Sequence, residues 1–286
     1  MKKAAVINDL SGFGKCSLTA ALPTLSAMGI QCVPLATAVL TGQTGYEYYH
    51  CTDLTDMIPQ YTDAWVRNKV EFDAICTGYM TGPVQVEKVL DFISKLKTPD
   101  TLVVVDPVMG DDGRTYGIYT DALLSGMREI VRQANLITPN LTEAALLAGY
   151  SLDRIYSNSD NSEKLKIAEE IGYILKEQGN VVKDVVITGI KCHDSESSYI
   201  YNLAFSENGM EESKSHLFNR SFSGTGDLFT SIMCGSLLNG LNTVEGMKLA
   251  SSFLYNCIAD TMNEDVPGND GINFEPHLID LIKGGR

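Results

Sequence analysis

The stretch TLVVVDPVMGDDG, Thr101 to Gly113, decides the fold. Its apolar run from Leu102 to Val105 is unbroken, so an extended chain here must bury both faces. That is the mark of a parallel strand covered by helices on each side. Pro107 lacks an amide donor and ends the ladder. Asp106, Asp111, Asp112 and two glycines then lie just past the strand's carboxyl end. Ligands of open α/β sheets collect on that edge. One stretch therefore predicts both the architecture and the edge where chemistry belongs.

The same rhythm extends in both directions. Short apolar runs predict strands over Ala4–Ile7, Cys32–Val39, Phe72–Thr77, Asn135–Thr138 and Asp184–Thr188. Helical patterns separate them. Leu18, Ala21, Leu22, Leu25 and Met28 share one face of a helix from Ser17 to Met28, bent at Pro23 and stopped at Gly29. Further helices are predicted over Thr52–Lys69 and Val84–Leu96. From Ser198 the pattern changes. YIYNLAF and SKSHLFNRSF predict a hairpin separated by SENGMEES, and one long helix is predicted from Gly226 to Asn263. With no Pro/Gly/Ser-rich linker and no repeat, residues 1–286 read as a single three-layer α/β/α domain with a mostly parallel central sheet.

Composition narrows the function. A net charge of −14 and 22 basic against 36 acidic residues leave no cationic footprint for nucleic acid. The seven cysteines form no CxxC pair, which fits reduced thiols, and the four histidines are too scattered for a zinc site. No segment has the apolar length of a membrane span and the N-terminal run is short for a signal peptide, so a cytoplasmic location is expected.

The opening loop, VINDLSGFGKCSL (Val6–Leu18), imitates a phosphate grip and fails its spacing tests. A Walker A loop ending at Gly14-Lys15 requires glycine at Asp9 and a hydroxyl residue at Cys16. A dinucleotide fingerprint requires glycine at Ser17 and an acid near Ala36-Thr37-Ala38. What remains is a glycine turn carrying Asn8, Asp9 and Ser11, with Lys15 as a solvated residue at a helix start.

SFSGTGDLF, Ser221 to Phe229, is the stronger anion site. Gly224 and Gly226 let backbone N–H groups converge where a helix begins. Such a nest stabilises a phosphoryl group in transit. Asp227, on the first turn, can take a proton from an attacking hydroxyl; its bland role is to complement the helix dipole, worth about 0.3–1 kcal/mol. Asp106 fits Mg²⁺ held together with phosphates. In LITPNLTEAALL, Asn140 and Glu143 fit the same edge or a helix capping box. VVITG offers the Thr188 hydroxyl and the Gly189 N–H to a phosphate. Four strand ends on one edge, followed by an anion nest, point to an enzyme using a nucleoside triphosphate.

The order Asp-Pro-Val-Met-Gly-Asp, Thr-Pro-Asn-x-x-Glu, Ile-Thr-Gly and Gly-Thr-Gly-Asp resembles the ribokinase-like superfamily, and within it the pyridoxal kinases. The resemblance covers Val6 to about Asn263. It implies a ribokinase-like fold and ATP-dependent phosphorylation of the 5′-hydroxymethyl group of pyridoxal, pyridoxamine or pyridoxine. Asp227 would be the base, and Gly224, Thr225 and Gly226 the anion hole. Asp106 and Glu143 would organise Mg²⁺ and the phosphates of ATP, with Asn140, Thr188 and Gly189 also on the nucleotide side. TGQTGY resembles the substrate loop, often Ser-x-His-Thr-Gly-Tyr, placing Gln43 and Thr44 at the ring beside Asn8, Asp9 and Ser11. Tyr79 would stack on the ring and Tyr116 would act as a lid tyrosine, within a lid from Asp111 to Tyr119 hinged at Gly110, Gly113 and Gly117. The adenine would lie near Ala250 and Ser251. A homodimer is implied, and a monovalent cation such as K⁺ fits the same picture.

Two departures bear on the substrate. Gln43 replaces the usual histidine, and the first loop is shorter than in animal pyridoxal kinases. The first departure bears on the ring contact, and the second is nearer in style to the hydroxymethylpyrimidine kinases of thiamine synthesis, while Tyr46 after Gly45 favours the B6 branch. A non-catalytic vitamer-binding relative is a further alternative, and a dinucleotide oxidoreductase is weakened by the failed fingerprint.

Overall fold

Alternating faces of one central sheet explain most of the chain's burial. A computed structural model describes residues 1–157, 160–178, 184–193 and 197–284. In chain order the elements begin β1 (Lys3–Ser11), α1 (Ser17–Ala27), β2 (Gln31–Leu40), β3 (Cys51–Asp53), α2 (Ile58–Arg67), β4 (Ala74–Thr77), α3 (Pro83–Leu96) and β5 (Leu102–Val105). A small hairpin, β6 (Gly110–Asp111) and β7 (Arg114–Thr115), precedes α4 (Asp121–Val131), β8 (Leu136–Ile137), α5 (Leu141–Ala148), α6 (Leu152–Tyr156) and α7 (Asn161–Glu177). Then come β9 (Asp184–His193), β10 (Ser198–Ser206), β11 (Gly209–His216), α8 (Thr225–Leu238), α9 (Thr243–Thr261) and α10 (Leu278–Gly284).

The nine-stranded sheet has the order β11-β10-β9-β8-β5-β4-β1-β2-β3. Its interior is parallel, with β3 antiparallel at one end and β10 and β11 at the other. Along β5, Val103 and Val105 enter one core with Ile7, Phe92 and Ile137, while Val104 enters the other with Val6, Leu25 and Ile232. The uninterrupted apolar run predicted that two-sided burial. No helix among the described residues is long and apolar enough to cross a membrane.

Three boundaries differ from expectation. The helix predicted from Thr52 begins only at Ile58, because Cys51–Asp53 pair with β2 and Asp53 then accepts the Thr55 N–H at 2.7 Å. The second hairpin strand is Gly209–His216, which begins inside the polar segment and keeps only the first four residues of SKSHLFNRSF. It is an edge strand whose outward residues need no burial, so an apolar pattern was the wrong signal. The long tail is two helices. α8 ends at Leu238, Gly240 turns the chain at φ +90°, and Asn242 caps α9, accepting the Glu245 N–H at 3.0 Å while Glu245 accepts the Asn242 N–H at 2.9 Å.

β1 continues to β2 on one side and has β4 on the other. The carboxyl ends of β1 and β4 therefore meet at a topological switch point, where an open sheet parts to admit a ligand.

Candidate active site

Asn8 ties the switch point together. It follows the Ile7–Thr77 register pair, and its Oδ1 accepts the Tyr79 N–H at 2.9 Å. Its Nδ2 donates to Asp227 Oδ1 at 2.9 Å. Gly78 leaves room for this, since a Cβ there would stand 2.5 Å from Asn8 Nδ2. The side chain expected to face a ring is thus engaged in fixing Asp227. Asn8, Asp106, Asp227 and Thr230 line one small cavity beneath α8.

Asp227 sits on the first turn of α8, and Gly224 is the N-cap with φ +81°. A Cβ on Gly224 would lie 1.9 Å from the Lys15 carbonyl oxygen, so only glycine fits. Burial pushes the half-buried Asp227 carboxyl up to about 6, against the pull of the Ser17 N–H and with Asp9 adding to the rise.

Asp9 lies beneath. It is buried and accepts hydrogen bonds from Ser11 Oγ at 2.8 Å and Ser17 Oγ at 2.5 Å. Burial raises its carboxyl despite both hydroxyls. Ser17 adopts φ 51°, a left-handed conformation costly for a non-glycine residue. It places a hydroxyl on Asp9 and its N–H toward Asp227 from one residue. Asp9 and Ser11 therefore lie beneath Asp227 and help to hold Ser17 in place.

At the end of β5, Asp106 is buried and receives the Thr230 hydroxyl at 3.3 Å. Burial first, then the neighbouring Asp227 charge, raises its carboxyl to about 8. A Cβ on Gly226 would meet Asp106 Oδ2 at 3.8 Å, so the acid faces the glycine nest. Glu143, buried 37 residues along the chain from Asp106, forms the capping box with Asn140. Its Oε1 accepts the Met109 N–H at 3.0 Å and its Oε2 the Asn140 N–H at 2.9 Å. Burial and then Asp106 hold its carboxyl well above the usual range. Asn140 Nδ2 donates to the Gly110 carbonyl at 2.7 Å, which roots the β6–β7 hairpin on α5.

The hairpin occupies the expected lid segment. Tyr116 is 45% exposed, and its phenol is raised by partial burial and the charges of Glu143, Asp111, Asp106 and Asp227. The tyrosine thus overhangs the acidic cluster. Gly110 and Gly113 are not free hinges. A Cβ on Gly110 would lie 2.3 Å from the Arg114 carbonyl, and Gly113 holds φ +76° at the tip. Only Gly117 of the three stands in open space.

Further along this edge, Thr188 bridges to Asn140. The Gly189 N–H, expected to reach a phosphate, donates instead to Asn202 Oδ1 at 2.9 Å. Asn202 in turn donates to Ser251 Oγ at 2.9 Å. Ala250 and Ser251 are buried, so they offer no open face to an adenine.

The acceptor loop also departs from its expected role. Gln43 is buried; its Oε1 accepts the Gly45 N–H at 2.7 Å and its Nε2 donates to the Asn269 carbonyl at 3.2 Å. The residue in the histidine position therefore closes the loop, while Thr44 is exposed beside it. Tyr79, half-buried at the end of β4, has a phenol raised to about 12 by burial and nearby Cys51.

The match to the phosphomethylpyrimidine kinase family model spans residues 14–269. The chain belongs to that family. A Bacteroides thetaiotaomicron protein assigned as a phosphomethylpyrimidine kinase, crystallised with pyridoxal, is 35% identical with a TM-score of 0.89, covering 98% of this chain and 95% of its own. Pyridoxal kinase from Lactobacillus plantarum is 27% identical with a TM-score of 0.86, covering 99% and 97%. The curated pyridoxal kinase of Dictyostelium discoideum is 26% identical over 89% of this chain and 84% of its own. The ribokinase-like fold expected from the motifs is the fold observed.

Three contributors to the family site escaped the sequence reading. Ser17 was seen only as a helix start, and nothing in its residue type announces φ 51°. Lys15 is no bystander. Its Nζ bonds Asn273 Oδ1 at 2.8 Å and Glu275 at 2.9 Å, and its carbonyl packs against Gly224. The segment Pro267–Gly271 lies past the last motif, although its Pro-Gly-Asn-Asp-Gly run is a turn signal.

Proposed function

We propose that this chain transfers the γ-phosphoryl group of ATP to the 5′-hydroxymethyl group of pyridoxal, pyridoxamine or pyridoxine. The observation that carries this reading is the placement of Asp227. One carboxylate stands at the mouth of a glycine nest and is fastened by Asn8 to the switch point beside Tyr79. A base between an anion site and the end of β4, where Tyr79 stands, suits proton removal from an alcohol during phosphoryl transfer. The pyridoxal bound by the Bacteroides relative and the activity named for the curated relatives support the B6 vitamers as acceptors.

In this reading Asp227 accepts the alcohol proton as the oxygen attacks the γ-phosphorus. The N–H groups of the Gly224–Gly226 turn and the α8 dipole meet the charge spreading over the transferring oxygens. Asn8 and Ser17 hold the carboxylate in place. Tyr79 and the exposed Thr44 face the vitamer, and Tyr116 closes over the nucleotide to limit hydrolysis.

Mg²⁺ suits the donor set. Asp106 presents hard carboxylate oxygen toward the nest, and one or two carboxylates with substrate phosphates are the usual Mg²⁺ environment. Asp106 would hold the ion with ATP, while Glu143, both oxygens already accepting N–H groups, fixes the loop behind it. The ion would supply charge neutralisation at the phosphates. Asp106→Asn is expected to raise the Mg²⁺ concentration for half-maximal rate about tenfold or more, the range seen when a charged hydrogen-bonding partner is lost. A magnesium titration at saturating ATP checks it; an unchanged midpoint counts against the assignment.

The base must be ionised to act, so its pKa of about 6 sets an acid limb. The rate kcat/KM for pyridoxal should be full above neutrality and fall as pH drops through about 6. A limb near 4 would mean that the essential base is not this buried carboxylate.

The deciding assay follows ADP release with Mg·ATP and, in turn, pyridoxal, pyridoxamine, pyridoxine and hydroxymethylpyrimidine. Vitamer-dependent turnover is expected. Preference for the pyrimidine would favour the second reading, a hydroxymethylpyrimidine kinase, which the matched family description keeps in play. No turnover with any of them would favour a vitamer-binding protein. The same assay with K⁺ or Na⁺ reads monovalent-cation dependence. We propose one domain over the whole chain, a homodimer and a cytoplasmic location on the expectations given above.

A further inference from the structure

Three loops around the candidate site, the anion loop, the opening loop and the acceptor loop, are fastened by one further segment. Pro267–Gly271 reaches the anion loop, where the Ser223 N–H donates to the Gly268 carbonyl at 3.0 Å. A Cβ on Gly268 would stand 2.6 Å from the Ser221 carbonyl, so the two backbones are in direct contact. The same segment takes the opening loop, accepting the Lys15 N–H on the Asp270 carbonyl at 3.1 Å. It also takes the acceptor loop through side chains. Asn269 Nδ2 donates to the Gly45 carbonyl at 2.7 Å, and Tyr46 Oη donates to Asp270 Oδ1 at 2.5 Å.

We infer that Asn269 and Asp270 are positioning residues that couple occupancy of the acceptor loop to the geometry of the Gly224 anion hole. The inference rests on the acceptor and phosphate roles proposed above for these loops. Its physical basis is rigidity. Gly224 is trapped against the Lys15 carbonyl, and Gly271, at φ +84°, would place a Cβ 2.8 Å from Lys15 Cβ. A shift of Tyr46 passes through the Asp270 side chain to the backbone that holds Lys15 and Ser223. Ordering the acceptor loop around a vitamer therefore also orders the nest, and each ligand favours the other.

The test measures coupling rather than activity. Calorimetry gives the affinity of the full chain for Mg·AMP-PNP with and without saturating pyridoxal. In the unaltered protein pyridoxal should tighten the nucleotide by about fivefold or more, the usual lower range of coupling between sites. Tyr46→Phe and Asp270→Ala cut the same hydrogen bond. Each should bring that factor to about one, and the pair together should add nothing beyond either single change. Asp270→Asn keeps an acceptor for the tyrosine and should restore the factor. In turnover, kcat should fall about tenfold while KM for ATP measured at saturating vitamer rises, which a simple loss of stability does not produce. A coupling factor of one in the unaltered protein, or an unchanged factor in Tyr46→Phe, overturns the inference. Failure of the kinase reading shows separately, as pyridoxal that binds without ADP release, and the binding measurement remains decisive in that case.

Discussion

Asp227→Asn lowers kcat for pyridoxal phosphorylation by about a thousandfold, within the range of a lost general base, while both substrates still bind. The amide is nearly isosteric, and its oxygen can accept from Asn8 Nδ2 and the Ser17 N–H as the carboxylate does. What it lacks is basicity. Stability should move in the opposite direction. The carboxyl's folded pKa of about 6 lies above its ordinary value of 3.8, so the folded state binds that proton more tightly than the unfolded chain. Its favourable contribution is present below the ordinary value and is lost as pH rises through about 6. At neutral pH the native protein carries a half-buried charge beside Asp9 and Asp106, and the asparagine removes it. A melting temperature that rises while turnover collapses is the expected pair of results. Turnover within tenfold of normal would remove Asp227 from the base position.

Gly224→Ala should cost both rate and stability, and Gly226→Ala only rate. At Gly224 the new methyl would overlap the Lys15 carbonyl, 1.9 Å away, in a backbone region hostile to side chains. The anion loop or the opening loop has to move. Misplacing one backbone donor of such a nest typically costs about a hundredfold or more, and the forced shift lowers the unfolding midpoint. At Gly226 the nearest atom to an added Cβ is Asp106 Oδ2 at 3.8 Å, an ordinary contact. That alanine fits the resting protein and obstructs only what must enter between nest and acid. Equal melting temperatures for Gly226→Ala and the unaltered chain, with a much lower kcat, would support the space as the path of the transferring group. Equal rates would mean that the phosphoryl group does not pass there.

The sheet was legible because burial on two faces leaves a one-dimensional trace, as Val103, Val104 and Val105 show by feeding two different cores. Edge strands leave no such trace. Gly209–His216 and Cys51–Asp53 are largely exposed, so their pairing is invisible to apolar patterning. Within the candidate site, Asp106 follows a buried strand while Gly224 and Asp227 open α8, and the fold brings both acids to one cavity. Residues whose role is to hold others were misread. Gln43, Asn8 and Gly189 were expected to meet ligands, and their polar groups instead meet Asn269, Asp227 and Asn202. A residue type reveals a capacity for hydrogen bonding; only the fold reveals which group uses it.

The position of β1 inside the sheet, with β4 on one side and β2 on the other, has a consequence for synthesis. The strand made first carries Asn8 and Asp9, but Asp227 arrives after nearly the whole sheet has been translated, and the loop that secures Lys15 comes later still. Chains fold as they emerge, N-terminal parts first. One face of the sheet packs on α8 and α9, so that core and the candidate site are completed together, late in translation. A chain released just before Pro267 therefore has the glycine nest and Asp227 but lacks the segment that fastens the Ser223 and Lys15 backbones.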